Sequence, residues 1–168
     1  MIAPLSTPPI LLHVSCAGAW GGDTAYTLDI DRVIRVTART DCKVAHFPFH
    51  KLQVLTQHMP EVWAGLARLT AGHIKHMMTI VACGLEKNSN NRVSLNLLRL
   101  IGDGQMFGLG SEGDPKELPL SQSELAEMTS LSRNSVGIIL KDLEAIGAIE
   151  VSYRNIKILN RKLLLIPS

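Results

Sequence analysis

The chain reads as an α+β protein that ends in a winged helix-turn-helix. Three observations predict this. Two short amphipathic helices flank a tight turn between Leu120 and Gly147, an alternating strand pair follows them, and a long helical run begins upstream at Pro60.

In chain order, Met1 to Pro9 is proline-rich and expected to attach loosely. Ile10 to Val14 is a short apolar run, a candidate strand. Gly18 to Asp23 is a turn anchored by Trp20. Arg32 to Ala38 and Cys42 to Phe47 alternate around Arg39-Thr40-Asp41, which predicts a hairpin. Phe47 to Gln57 reads as a short helix or turn.

Pro60 suits the first turn of a long helix. Along it Val62, Leu66, Leu69, His73, His76, Ile80 and Cys83 follow a four-three spacing. Such a seam suits either a coiled-coil contact with a second helix or packing on the chain's own core. His73 and His76 lie one turn apart, but a pair without a third ligand reads as seam or surface histidines, so no metal is expected. Lys87 to Asn91 is a polar break, the expected hinge. Arg92 to Ile101 is helical, with Val93, Leu97, Leu98 and Ile101 on one face. Gly102 to Gly113 is glycine-rich and expected to be a flexible loop, and Pro119 ends the linker.

Ser121 and Glu124 then form a capping box, each able to satisfy a backbone N–H at the start of a helix. Leu125 and Met128 mark its buried side, and Thr129 to Leu131 is the turn. Ser132 is a second N-cap. Val136, Ile139, Leu140, Leu143 and Ile146 recur at helical spacing, with Gly147 placed as a C-cap. Two helices joined so tightly cross steeply, as in a helix-turn-helix. Ile149 to Ser152 and Asn155 to Leu159 alternate around Tyr153-Arg154-Asn155, a wing. Leu163 to Ile166 is expected to fold back on the domain.

Arg133, Asn134 and Ser135 occupy the first turn of the second helix, off its apolar stripe. Arginine pairs bidentately with guanine and asparagine with adenine, and first-turn positions reach base edges in this motif. Lys141 lies on the same side, placed for a phosphate. Ser121, Gln122 and Ser123 at the first helix, with Ser132 and Gly137 at the second, complete the expected DNA-facing set.

The stretch from Leu120 to Ile149 resembles the C-terminal domain of the Crp/Fnr (cyclic-AMP receptor protein and fumarate–nitrate regulator) family. Ser132-Arg133-Asn134-Ser135-Val136 matches the start of that family's recognition helix, and Leu140 to Gly147 its end. By position Arg133 is the base-reading arginine, while Asn134 and Ile138 stand where many members have glutamate and a second arginine. Ser130 stands where many have glycine.

Upstream, Gly18-Ala19-Trp20-Gly21-Gly22-Asp23, Arg32 and Ala38-Arg39-Thr40-Asp41-Cys42 resemble the second half of the family's cyclic-nucleotide-binding β-roll. The resemblance implies a ribose and phosphate site at Gly22, Asp23 and Arg32. Asp23 is one methylene shorter than the family's glutamate, and Val33 replaces a phosphate-binding hydroxyl, so a degenerate pocket is expected. The whole resemblance implies a partial β-roll over residues 1–58, a dimerisation helix over 59–86 and a winged helix-turn-helix over 92–168. The first strands of such a roll are expected before Met1 or from a partner.

Composition sets bounds. Net charge is only +2, and from Leu118 onward six Lys/Arg face five Asp/Glu, so position rather than bulk charge carries the case for DNA. The three cysteines, Cys16, Cys42 and Cys83, lack paired spacing, which fits a reducing cytoplasm. No apolar run spans a membrane, and no nucleophile–base pattern or phosphate loop points to an enzyme. The expected protein is a cytoplasmic, sequence-specific transcription regulator of the Crp/Fnr type. It would bind double-stranded DNA as a homodimer, with RNA polymerase as a further partner. The alternative is an effector-sensing or dimerisation module with degenerate DNA binding, a reading that Ile138 favours.

Overall fold

In the computed structural model, which describes residues 2–3, 10–15, 18–106 and 117–165, helices dominate and strands form two small antiparallel sheets. The first sheet pairs β1 (Ile2–Ala3) with β2 (Ile10–Leu11). Then come α1 (Asp23–Leu28), α2 (Phe49–His58), α3 (Glu61–Leu85) and α4 (Ser89–Met106). The C-terminal half adds β3 (Glu117–Leu118), α5 (Gln122–Thr129), α6 (Arg133–Ala145), β4 (Ile149–Ser152), β5 (Asn155–Ile158) and a 3-10 turn, Arg161–Leu165.

The C-terminal half owns the main core. Val93 and Leu97 of α4, Leu125 of α5, Val136 and Leu140 of α6 and Ile156 of β5 are almost wholly buried in one cluster. Each comes from the apolar stripe of its element, and each stripe has a facing stripe to meet. Removing that much apolar surface from water is what holds these short elements together. The second sheet has the order β3-β5-β4, with Ser152 paired to Asn155 across the two-residue turn Tyr153-Arg154. Arg154 takes the left-handed backbone there, at φ 53°. The tail folds back as expected, burying Leu164 beside α4; Ile166 lies outside the described residues.

Four expectations change in detail. The α+β class stands, but Arg32 to Phe47 is extended chain with one isolated bridge at Arg35 rather than a hairpin. Its alternating valines find no layer to cover them: Val33, Val36 and Val44 are 51%, 71% and 80% exposed. Without that burial, pairing the two arms gains too little to order them. Asp23, expected in a turn, instead opens α1 after Gly22, whose φ of 98° suits glycine. The polar break shrinks to Glu86–Asn88, because the Asn88 side chain accepts from the N–H groups of Asn90 and Asn91 and so starts α4 early.

Helix α4 also runs on to Met106, into the stretch expected to be loop, and the rest of that loop lies outside the described residues. Of the two contacts open to the four-three seam on α3, the single chain shows the one with its own core. Leu66, His76 and Cys83 are buried, while Ile74, Met78, Val81 and Leu85 form a second stripe that points outward. Most of Met1 to Pro9, and Cys16, also lie outside the described residues.

Candidate nucleic-acid interface

The interface is set up by how its two helices begin and end. At α5 the Ser121 hydroxyl accepts from the Glu124 N–H at 3.2 Å, and Glu124 Oε2 accepts from the Ser121 N–H at 2.8 Å. Both halves of the capping box are therefore made. The helix stops at Ser130, which sits in the left-handed region at φ 53° while the Leu131 N–H donates to the Ala126 carbonyl at 3.0 Å. Glycine takes that conformation at no steric cost; serine does not. Buried Thr129 donates its hydroxyl to the Leu125 carbonyl at 2.7 Å, and Arg92 of α4 donates to the Thr129 carbonyl at 3.1 Å.

Ser132 caps α6, its oxygen accepting from the Ser135 N–H at 3.0 Å. At the far end the Ala148 N–H reaches the Leu143 carbonyl and the Gly147 N–H reaches Glu144, with Gly147 at φ 74°. That pair of bonds is a Schellman motif, for which glycine is the favoured residue. Glu144 also accepts the Val151 N–H at 2.9 Å, tying α6 to the wing.

With Val136, Ile139, Leu140 and Leu143 buried, the other side of α6 faces solvent. Arg133, Asn134, Gly137 and Lys141 share about 100° of arc at helical spacing. Arg133, Asn134 and Lys141 are exposed, as is Ser123 of α5; Ser121, Gln122, Ser135 and Gly137 are partly buried. A Cβ on Gly137 would lie 3.5 Å from Gln122 Oε1, so the start of α5 and the first half of α6 stand side by side. Ile138 is 63% exposed on the adjoining edge.

Two cations missed from the sequence belong to this surface. Arg39 Nη2 is 2.7 Å from Glu124 Oε1, and Arg39 also donates to the Pro119 carbonyl. Arg154 at the wing tip acts on the same carboxylate. Burial pushes the Glu124 carboxyl up. Hydrogen bonds from the Ser121 hydroxyl and N–H, then Arg39 and Arg154, outweigh that and hold it below its usual value. No local pattern could reveal Arg39, because its partners lie far along the chain.

The residues implied for a nucleotide site fall elsewhere. Gly22 and the Arg32 guanidinium lie together. Asp23 turns inward, 3% exposed, with Oδ2 accepting from Thr70 at 2.8 Å and Oδ1 3.0 Å from His73 Nδ1. That inward turn follows from Asp23 opening a helix packed on α3. His76 goes to a different group: its ring stacks edge-on to His13 at 4.4 Å, and Arg99 lies between, 3.0 Å from His13 Nδ1. His73 and His76 thus do not converge, and among the described residues no group of three His, Cys, Asp or Glu is placed to hold a metal. Cys83 is buried, which pushes its thiol up, and Cys42 is exposed.

Residues 91–165 match a family model described as a Crp-like helix-turn-helix domain. No curated protein matches the chain. Among solved structures, a mutant of CooA from Carboxydothermus hydrogenoformans is similar at 22% identity and TM-score 0.53, covering 69% of this chain and 53% of that one. A Crp-family transcriptional regulator from Thermus thermophilus has 25% identity and TM-score 0.49, covering 62% and 52%. A Crp/Fnr-family regulator from the same organism has 25% identity and TM-score 0.40, covering 69% and 53%. The chain spans about half the length of these solved structures. The C-terminal half is therefore a Crp-like helix-turn-helix domain, and the resemblance to the Crp/Fnr family rests on it. Among the described residues no helix is long and apolar enough to cross a membrane.

Proposed function

We propose that this protein is a sequence-specific transcription regulator that binds a two-fold DNA site as a pair of identical chains. The observation that carries the proposal is the first turn of α6. Arg133 and Asn134 stand exposed there, off the buried stripe, on a helix capped at both ends and braced by the wing. Arginine and asparagine are the side chains that read guanine and adenine edges bidentately. The N-terminal turn of α6 adds a phosphate-attracting end. Ser121, Gln122 and Ser123 are placed for the backbone, and Lys141 lies further along the same face.

Pairing is supported by the outward stripe of α3. Ile74, Met78, Val81 and Leu85 keep a four-three spacing along a shallow apolar groove of about 510 Å³. A seam of that register suits a second copy of the same helix. Two chains so joined would present two α6 helices to successive major grooves, ~34 Å apart.

The test is binding of the full chain to promoter fragments and to scrambled duplexes. Arg133→Ala should lose about 1–3 kcal/mol at one base position, while Lys141→Ala should weaken all sequences alike. Equal losses on matched and scrambled DNA for Arg133→Ala would remove its assigned role. Exposed Ile138 supports a second reading, a sensing and pairing module whose DNA contact has decayed. Nucleotide binding by calorimetry without any gel shift would favour it.

A further inference from the structure

Glu124 sits at the end of α5 that a DNA backbone would approach. Its Oε2 serves the helix cap, accepting from the Ser121 N–H at 2.8 Å and the Ser121 hydroxyl at 2.6 Å. Its Oε1 remains for another partner, and beside DNA that partner would be a like-charged phosphate. In the structure Oε1 is met by Arg39, 2.7 Å away, and the same guanidinium donates to the carbonyl of Pro119, two residues ahead of the cap.

Arg39 is not part of the helix-turn-helix. It comes from the extended segment between α1 and α2. Between those helices the segment carries Arg32, Arg35, Arg39 and Lys43 against Asp29, Asp31 and Asp41, and its four cations all lie from Arg32 onward. A second tether from the same side of the chain reaches α5, where the Leu11 N–H donates to Glu127. Helix α5 is thus fastened from earlier in the chain at its start, by Arg39, and in its last turn, by Leu11.

We propose that Arg39 is a positioning residue for DNA binding. It neutralises Glu124 at the phosphate-facing end of α5 and fixes that end against Pro119. The helix-turn-helix then binds DNA at full strength only when the segment carrying Arg39 is seated. This inference rests on the DNA-binding reading above. It differs from simple obstruction, because a basic segment beside the phosphate path attracts the duplex.

The test uses the full chain and a labelled duplex, with fluorescence anisotropy over a salt series. Arg39→Ala should weaken binding to matched and scrambled DNA alike, by about two- to fivefold at low salt, the scale of one exposed charge pair. The loss should shrink as salt rises. Arg39→Lys should keep most of the affinity. Arg39→Ala combined with Glu124→Gln should recover most of the loss, because glutamine keeps the capping box and removes the charge that Arg39 neutralises. A merely structural role for Arg39 would show neither this rescue nor the salt dependence.

Unchanged or tighter binding by Arg39→Ala would overturn the proposal, as would failure of the double variant to recover. Either result beside a wild-type chain that binds DNA would leave the regulator reading intact. A wild-type chain that binds no duplex would overturn both.

Discussion

Apolar residues face one another in the C-terminal half of the molecule and face outward ahead of it. The main buried cluster is drawn from residues 93–164. Of the twenty-one large hydrophobic side chains exposed among the described residues, sixteen lie before α4. The C-terminal elements therefore have what they need within one chain, whereas α3 and the extended segment before α2 present surface that another layer would cover.

The largest expected effect tests the self-sufficiency of the C-terminal half. Leu125 is fully buried between helices, and Leu125→Ala should cost about 2–5 kcal/mol by urea unfolding. Val36→Ala, at a site 71% exposed, should stay within about 0.5 kcal/mol. Comparable losses at the two sites would erase the contrast between the regions.

Next is the outward stripe of α3. Val81→Asp would place a carboxylate in the proposed seam, where burying an unpaired charge is costly. Sedimentation should show the pair dissociating, with Kd raised tenfold for each ~1.4 kcal/mol lost. The monomer should still melt as a folded chain, since Val81 is 57% exposed within it. A pair of unchanged strength would mean that this stripe is covered by something other than a second copy.

The same contrast explains what the sequence could disclose. The capping box at Ser121 and Glu124, the spacing of Val136 to Leu143, Gly147 and the wing are all local patterns and appear as expected, while Ile146, the last of the expected stripe, ends the helix 53% exposed. Helix α3 is apolar on two sides, so two four-three stripes satisfy the same rule. Spacing alone could not tell that Leu66, His76 and Cys83 turn inward while Ile74, Met78 and Val81 turn outward. The alternation in Arg32 to Phe47 is a real pattern without a layer to act on. Strand β3 is two residues long and exists through its pairing with β5. Arg39 meets Glu124 and Pro119, which no window of neighbouring residues contains.

Smaller is the effect at Ser130. A non-glycine residue in the left-handed region is strained by about 1–2 kcal/mol, and the extra freedom of glycine in the unfolded chain offsets part of what its removal gains. Ser130→Gly should stabilise the C-terminal half by up to ~1 kcal/mol in the unfolding experiment that measures Leu125→Ala. A destabilised variant would show that the serine side chain holds the turn in some way beyond its backbone.

The smallest effect joins the two regions through Glu124. Its folded-state pKa lies below the ordinary value of 4.5. A group depressed in this way binds a proton more readily unfolded than folded. Its stabilisation is therefore fully present above the unfolded value and is lost as pH falls through the folded one. The window thus opens near pH 4.5 and extends downward. Glu124→Gln should remove this part of the pH dependence. The difference between wild type and variant should amount to roughly half a kcal/mol, since Arg39 and Glu124 are only partly buried and solvent screens the pair. Arg39→Ala should shrink the difference, because one of the causes that lowers the Glu124 pKa is then gone. Parallel stability curves for wild type and Glu124→Gln between pH 3 and pH 6 would show that neither the cap nor Arg39 distinguishes the charged carboxylate from its neutral form.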